Sequence, residues 1–266
     1  MASADFYLHP AKYREEPFHI FGELYYVGDK NVCSYLLDTG EGLILIDTAY
    51  PTTQALLIDS IYHLGFDPRN VRKILHTHGH FDHFGCTEFI QSLSGAELYL
   101  SRADSKMFRE RPELSMCDVN APFRAIELFR PDTELSEGDE VCLGTVKIRV
   151  LETPGHTDGV LTYLLELHED GRTCTAALFG GIGLVTMKSG YAKKWGLLDY
   201  RAKFRASIKK LRGIHPDITL ANHCSQGPFM RNRREDKGFI HPEDWQVFLD
   251  ECQASLDRLE QEDPLD

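Results

Sequence analysis

Residues 76–85 read HTHGHFDHFG and bring His78, His80, Asp82 and His83 within six positions. Imidazole and carboxylate donors this closely spaced suit zinc. A tight loop with the 78/80 and 82/83 spacing aims two side chains at one ion and two at a neighbouring one. The competing reading, a polar loop satisfied by its own hydrogen bonds, fares worse, because buried imidazoles and carboxylates without compensation are costly. Neither pair fills a four-coordinate site, so further donors must arrive from distant loops. Two histidines stand after predicted strands: His156 in ETPGHTDG and His223 in LANHCSQ. His76, at the end of the strand that leads into the motif, is read as packed or hydrogen-bonded rather than ligating.

Outward from the motif, short runs of β-branched and aromatic residues alternate with helical stretches along the chain. FHIFGELYYVG, VCSYLLD and GLILIDT read as three successive strands. A helix over about Pro51 to Leu64 follows, opened by its proline, and RKILHT returns as a buried strand. Beyond the motif CTEFIQSL reads as a helix, AELYLS as a strand, RADSKMF as a short helix, and Arg109 to Ala125 as a long loop. In the second half TVKIRVLE, VLTYLLEL, TCTAALFG and DITLANH are strands, with a helix over about Tyr200 to Leu211. Between Pro242 and Glu262, Trp245, Phe248, Leu249, Cys252, Leu256 and Leu259 form one apolar helical stripe. Two β-rich halves with helices outside them predict an α/β fold, a four-layer αβ/βα sandwich, formed by residues 1–266 as a single domain. The strand-end loops then gather along one edge, which is where chemistry is expected.

Composition bounds the function. The 266 residues are 42% hydrophobic and 26% charged, an ordinary globular balance. With 29 basic against 41 acidic residues the net charge is −12, so nucleic acid and anionic membrane surfaces are not expected partners. A small-molecule substrate is. The seven cysteines form no C-x-x-C pair and read as reduced thiols. MASADFYLHPAKYREE has no apolar signal-like core, and the longest mainly apolar run, AALFGGIGLV, is shorter than the roughly 18 residues of a membrane span. The compartment stays open, cytoplasmic or exported, as does oligomeric state. No G-x-S-x-G elbow is present, which disfavours a serine triad.

THGHFDH followed by a TPGHT loop resembles the metallo-β-lactamase superfamily of metallohydrolases, over nearly the whole chain. Many hydrolases of that family, such as hydroxyacylglutathione hydrolases and acyl-homoserine lactonases, carry a metal-bridging Asp after the strand that follows the TPGHT loop. Here that stretch is TAALFGGIGLV, with glycine in its place. PFHIFGELYYVG, HFDHFG and FRPDTELSEGDEVCLGTVKIRVLETPGHTDG are similar to subclass B3 metallo-β-lactamases, whose second metal takes a third histidine from the final strand.

That resemblance implies a first zinc held by His78, His80 and His156 and a second by Asp82, His83 and His223. It also implies a hydroxide between them that would open the β-lactam amide of antibiotics, oriented by Asp82. Zinc is favoured over iron because His80 stands where flavodiiron relatives usually have Glu. The resemblance also makes Asp47 a hydrogen-bonding support of the metal loop. NHCSQ departs from the Pro-flanked histidine of familiar B3 enzymes. Cys224 reads as a packed thiol. Ser225 and Gln226 either bind a substrate carboxylate or turn the chain. The stretches Arg109 to Ala125 and Tyr191 to Trp195 either wall a substrate groove or are ordinary surface loops. The alternative function is a hydrolase of the same fold acting on a lactone, thioester or other ester.

Overall fold

The computed structural model describes residues 4–117 and 127–265. Two sheets face each other. The first contains β1 (Phe18–Phe21), β2 (Leu24–Tyr26), β3 (Tyr35–Asp38), β4 (Leu43–Ile46), β5 (Val71–Leu75), β6 (Glu97–Ser101) and β7 (Thr133–Leu135), side by side in chain order. Its first four strands pair antiparallel and the rest in parallel. The second contains β8 (Glu140–Leu143), β9 (Val146–Glu152), β10 (Leu161–Glu169), β11 (Arg172–Phe179) and β12 (Ile218–Leu220). It is antiparallel except for the final β11–β12 pair.

Side-chain alternation explains the layers. Tyr35, Leu37, Ile44 and Ile46 point one way and meet Ile148, Val150, Tyr163 and Leu165 of the opposite sheet in a shared buried core. Leu36, Leu43 and Leu45 point the other way, under α2 (Gln54–His63) and α4 (Thr87–Ser94). On the far side Leu151, Ala177 and Phe179 are covered by α7 (Tyr200–Leu211) and α9 (Asp244–Glu262). Helix, sheet, sheet, helix is the four-layer αβ/βα order expected from the sequence. The remaining helices are α1 (Ala4–Leu8), α3 (Phe81–Phe84), α5 (Arg102–Glu110), α6 (Ser189–Trp195) and α8 (Phe229–Arg234). No helix among the described residues is long and apolar enough to cross a membrane.

Four local readings are corrected. FHIFGELYYVG is a hairpin of two strands: Gly22 turns it with φ +54, and a Cβ there would lie 2.6 Å from the His168 carbonyl oxygen of β10. The helix after Pro51 begins as a 3₁₀ turn over Pro51–Thr53 and becomes α-helical at Gln54. The expected loop from Arg109 starts inside α5 and continues as a 3₁₀ turn over Pro112–Ser115, while residues 118–125 lie outside the described residues. Tyr191 to Trp195 belongs to helix α6, not to a loop.

Candidate metal centre

Five strand ends converge at one edge. Asp47 follows β4, His76 to His83 follow β5, His156 follows β9, Gly180 to Gly183 follow β11, and His223 follows β12. The chain is forced into shape there: Asp47 and Ala49, neither of them glycine, hold left-handed backbones with φ 56. Each costs roughly 1–2 kcal/mol. Thr48 N donates to the His83 carbonyl (2.7 Å) and Gly85 N to the Ala49 carbonyl (2.9 Å), so the strained turn clamps the C-terminal end of α3.

Two donor groups result. His78, His80 and His156 form one, and Asp82, His83 and His223 the other, with the donor atoms of each within 4.8 Å of one another. The groups adjoin, since the His78 and His83 ring centroids are 4.2 Å apart. All six residues singled out in the sequence thus meet at this edge. Within the first group His80 Nδ1 and His156 Nε2 face each other at 2.9 Å. The Nε2 atoms of His78 and His80 are buried without a hydrogen-bond partner. The orphaned His78 Nε2, in one donor group with the facing His80 Nδ1 and His156 Nε2, is what a cation-binding site requires and what a self-satisfied polar loop would not leave.

Orientation is set from behind. His156 Nδ1 donates to the Gly183 carbonyl (2.5 Å), which turns Nε2 inward. Asp47 Oδ2 accepts from His83 Nδ1 (2.8 Å), and its carboxylate also accepts from Thr77 N (2.8 Å) and Thr77 Oγ1 (2.7 Å). His223 Nδ1 donates to the Asn31 carbonyl at 3.2 Å. Such outer partners fix tautomer and ring angle. Asp82 Oδ2 lies 3.7 Å from His83 Nε2 and 3.6 Å from His223 Nε2.

Electrostatics agree with neutral donors. In the metal-free chain burial, reinforced by neighbouring imidazoles, lowers His78 and His80 well below the ordinary histidine range. Burial also lowers His156 and His223 to about 4. Burial tends to raise Asp82, but the surrounding histidines win and hold it ionised. His83 is the exception: against burial, the carboxylates of Asp82 and Asp47 raise it.

Other residues fall where their chemistry puts them. His76 hydrogen-bonds the Tyr99 carbonyl and Thr87 Oγ1, both at 2.7 Å, and belongs to neither group. Cys224 also stands outside the groups, with its sulfur 3.1 Å from both Tyr26 Oη and the Asp29 carbonyl. Gln226 turns back on His223: its N–H donates to the His223 carbonyl (2.9 Å) and its Oε1 accepts from His223 N (3.3 Å). Of the expected groove residues, Tyr191 lines, with Met107, Leu114 and Tyr200, a small cavity that also touches His80 and His156. A cavity of about 850 Å³ between α7 and α9 touches none of the six candidate ligands.

Asp104 and Tyr50 were not singled out in the sequence. Asp104 is fully buried, and burial pushes its carboxyl up to about 6 against the opposing donors Thr157 Oγ1 (2.8 Å), Gly79 N (2.7 Å) and Gly159 N (3.0 Å). A Cβ on Gly159 would stand 2.4 Å from Asp104 Cγ, so glycine is needed for this approach. The only local signal was Ser101 ahead of RADS, the cap of α5. Tyr50 is buried beside Asp82, and burial together with that charge raises its hydroxyl.

The model of the metallo-beta-lactamase superfamily matches residues 27–185, more than half of the chain. The chain belongs to that superfamily. Superfamily relatives include a probable metallo-hydrolase of Burkholderia pseudomallei, 28% identical over 211 residues, covering 70% of this chain and 66% of its own length. The hydroxyacylglutathione hydrolase GloC of Haemophilus influenzae is 26% identical over 207 residues, 77% of this chain and 90% of its own. Among solved structures, BJP-1, a subclass B3 metallo-beta-lactamase of Bradyrhizobium japonicum, superposes with a TM-score of 0.81 at 24% identity. That match covers 96% of this chain and 97% of that one. The superfamily fold follows, with two histidine-rich groups that could hold metal.

Proposed function

We propose that this chain is a dinuclear zinc β-lactamase that hydrolyses the amide of the four-membered lactam. The observation that carries the reading is the composition of the second donor group. It is closed by His223, and no carboxylate projects from residues 180–183, where ester- and thioester-cleaving members of the superfamily place a bridging Asp. Glycine is needed at the start of this stretch, where a Cβ on Gly180 would stand 2.0 Å from the Leu161 carbonyl oxygen, and it leaves room for the His156 ring, since a Cβ on Gly181 would stand 3.1 Å from His156 Cβ.

Bound zinc ions would supply an acidified water and polarisation of the attacked carbonyl. The chain's own residues do the rest. His78 through Nε2, His80 through Nδ1 and His156 through Nε2 would hold the first ion; Asp82, His83 and His223 would hold the second. The Asp82 carboxylate orients the attacking water and accepts its hydrogen bond. Met107, Leu114 and Tyr191 line a small cavity together with His80 and His156. The hydroxyacylglutathione hydrolase relative favours a second reading, a thioesterase with incidental lactam turnover.

The test is turnover of a chromogenic cephalosporin by zinc-loaded protein, beside a panel of acylglutathione thioesters and lactones. The reading predicts efficient cephalosporin hydrolysis, abolished by chelation, restored by zinc and reduced at least ~100-fold in both His78→Ala and Asp82→Ala. Brisk thioester or lactone cleavage with negligible cephalosporin turnover would overturn the substrate while keeping the metal centre.

A further inference from the structure

The β2–β3 loop meets the loop that carries His223 in a short antiparallel contact outside both sheets. Val32 and His223 form an isolated bridge. Cys33 N donates to the Asn222 carbonyl (2.7 Å), and Cys224 N donates to the Asn31 carbonyl (3.0 Å). Cys33 and Cys224 lie diagonally across this bridge with their sulfurs 3.8 Å apart. Cys33 is buried and Cys224 half-buried. We propose that Cys33 and Cys224 form a thiol modification site for peroxide-class oxidants, and that the resulting disulfide displaces His223 from its donor group.

The geometry divides the chemistry between the two sulfurs. The half-buried Cys224 meets the oxidant first: its sulfur attacks one peroxide oxygen, the O–O bond breaks, and a sulfenic acid and one water are formed from hydrogen peroxide. The buried Cys33 sulfur then attacks the Cys224 sulfur. The S–O bond breaks, the S–S bond forms, and the sulfenic oxygen leaves with the Cys33 proton as a second water. Two thiols have given up two electrons, and the peroxide has taken them. A dithiol reductant reverses the result by exchange.

The consequence for the metal group follows from position. A disulfide holds its sulfurs about 2.05 Å apart, so the pair must close from 3.8 Å, and the share of that movement taken by Cys224 draws its sulfur away from Tyr26 Oη and the Asp29 carbonyl, its present contacts at 3.1 Å. Cys224 directly follows His223, and the His223 ring is held less firmly than that of His83. Its Nδ1 has only the backbone carbonyl of Asn31 at 3.2 Å, whereas His83 is fixed by the buried Asp47 carboxylate at 2.8 Å. His78, His80 and His156 lie on other loops and keep their positions. This consequence rests on the dinuclear reading above; formation of the disulfide does not.

The experiment treats zinc-loaded protein with hydrogen peroxide, then with dithiothreitol. After each step alkylation, peptide mapping and bound zinc per chain are measured. The proposal predicts a Cys33–Cys224 cross-linked peptide, loss of one of two bound zinc ions, and recovery of both thiols and zinc on reduction. Cys33→Ala and Cys224→Ser, each alone, should bind two zinc ions and never form the cross-link. Absence of the cross-linked peptide while the exposed Cys142 is oxidised overturns the site; a cross-link with unchanged zinc overturns its effect on His223. Should the untreated protein bind one zinc or none, the dinuclear reading fails and with it the predicted zinc loss, while the peptide map still decides the disulfide.

Discussion

Asp104 accepts from Gly79 and Thr157 through one oxygen and from Gly159 through the other. The loop carrying His78 and His80 is thereby tied to the loop carrying His156. Asparagine at 104 would keep the shape but turn an NH₂ toward one of these donors, leaving a buried N–H facing an N–H. Asp104→Asn should therefore weaken zinc affinity about 10–100-fold, the effect typical of lost outer partners. Competition against a chromophoric chelator checks this, and unchanged affinity would show that the two loops hold themselves. That the six candidate donors would meet was legible because four sit in one decapeptide and two stand after strands. Asp104 was not, because it acts through backbone N–H groups far away in sequence, which residue type and spacing do not reveal.

Helix α9 shows the opposite case, an element whose sequence already states its role. Trp245, Phe248, Leu249, Cys252 and Leu256 fall on one stripe, and all five are buried against α7 and the second sheet. Trp245 also donates through Nε1 to the Leu211 carbonyl at the end of α7 (3.1 Å). Leu249→Ala removes a fully buried side chain from this seam and should cost about 2–5 kcal/mol. Urea denaturation reads that loss, and a value under about 1 kcal/mol would mean that α9 can be repositioned without the core noticing. Helix α7 was equally legible, with the bounds expected. The elements left unread were short or weakly patterned. β7 has three residues and one fully buried side chain, and β8 alternates without a strong apolar face. Helix α6 carries Lys193 and Lys194 among its few residues and buries only Ala192, too little periodicity to separate it from a loop.

At the scale of the whole molecule the donor groups join the two sheets. The first sheet supplies His78, His80, Asp82 and His83; the second supplies His156 and His223. Ions held by both sheets bind the folded chain and not the unfolded one, so they stabilise it by mass action, about 4 kcal/mol at a thousand times the dissociation constant. For a chain of this size each kcal/mol moves the melting point by roughly 2–4 °C. Zinc-loaded protein should therefore melt roughly 8–16 °C above the chelated form. The cross-sheet arrangement makes a sharper demand than metal binding alone. On the dinuclear reading, His156→Ala would leave the first ion's remaining ligands in one sheet, and His223→Ala would do the same for the second. Each should lose part of the zinc-dependent shift even where some metal stays bound. Calorimetry with and without zinc on the wild type and both variants measures this. Equal shifts in all three proteins would place the stabilising metal within the 78–83 loop and remove its role as a link between the sheets.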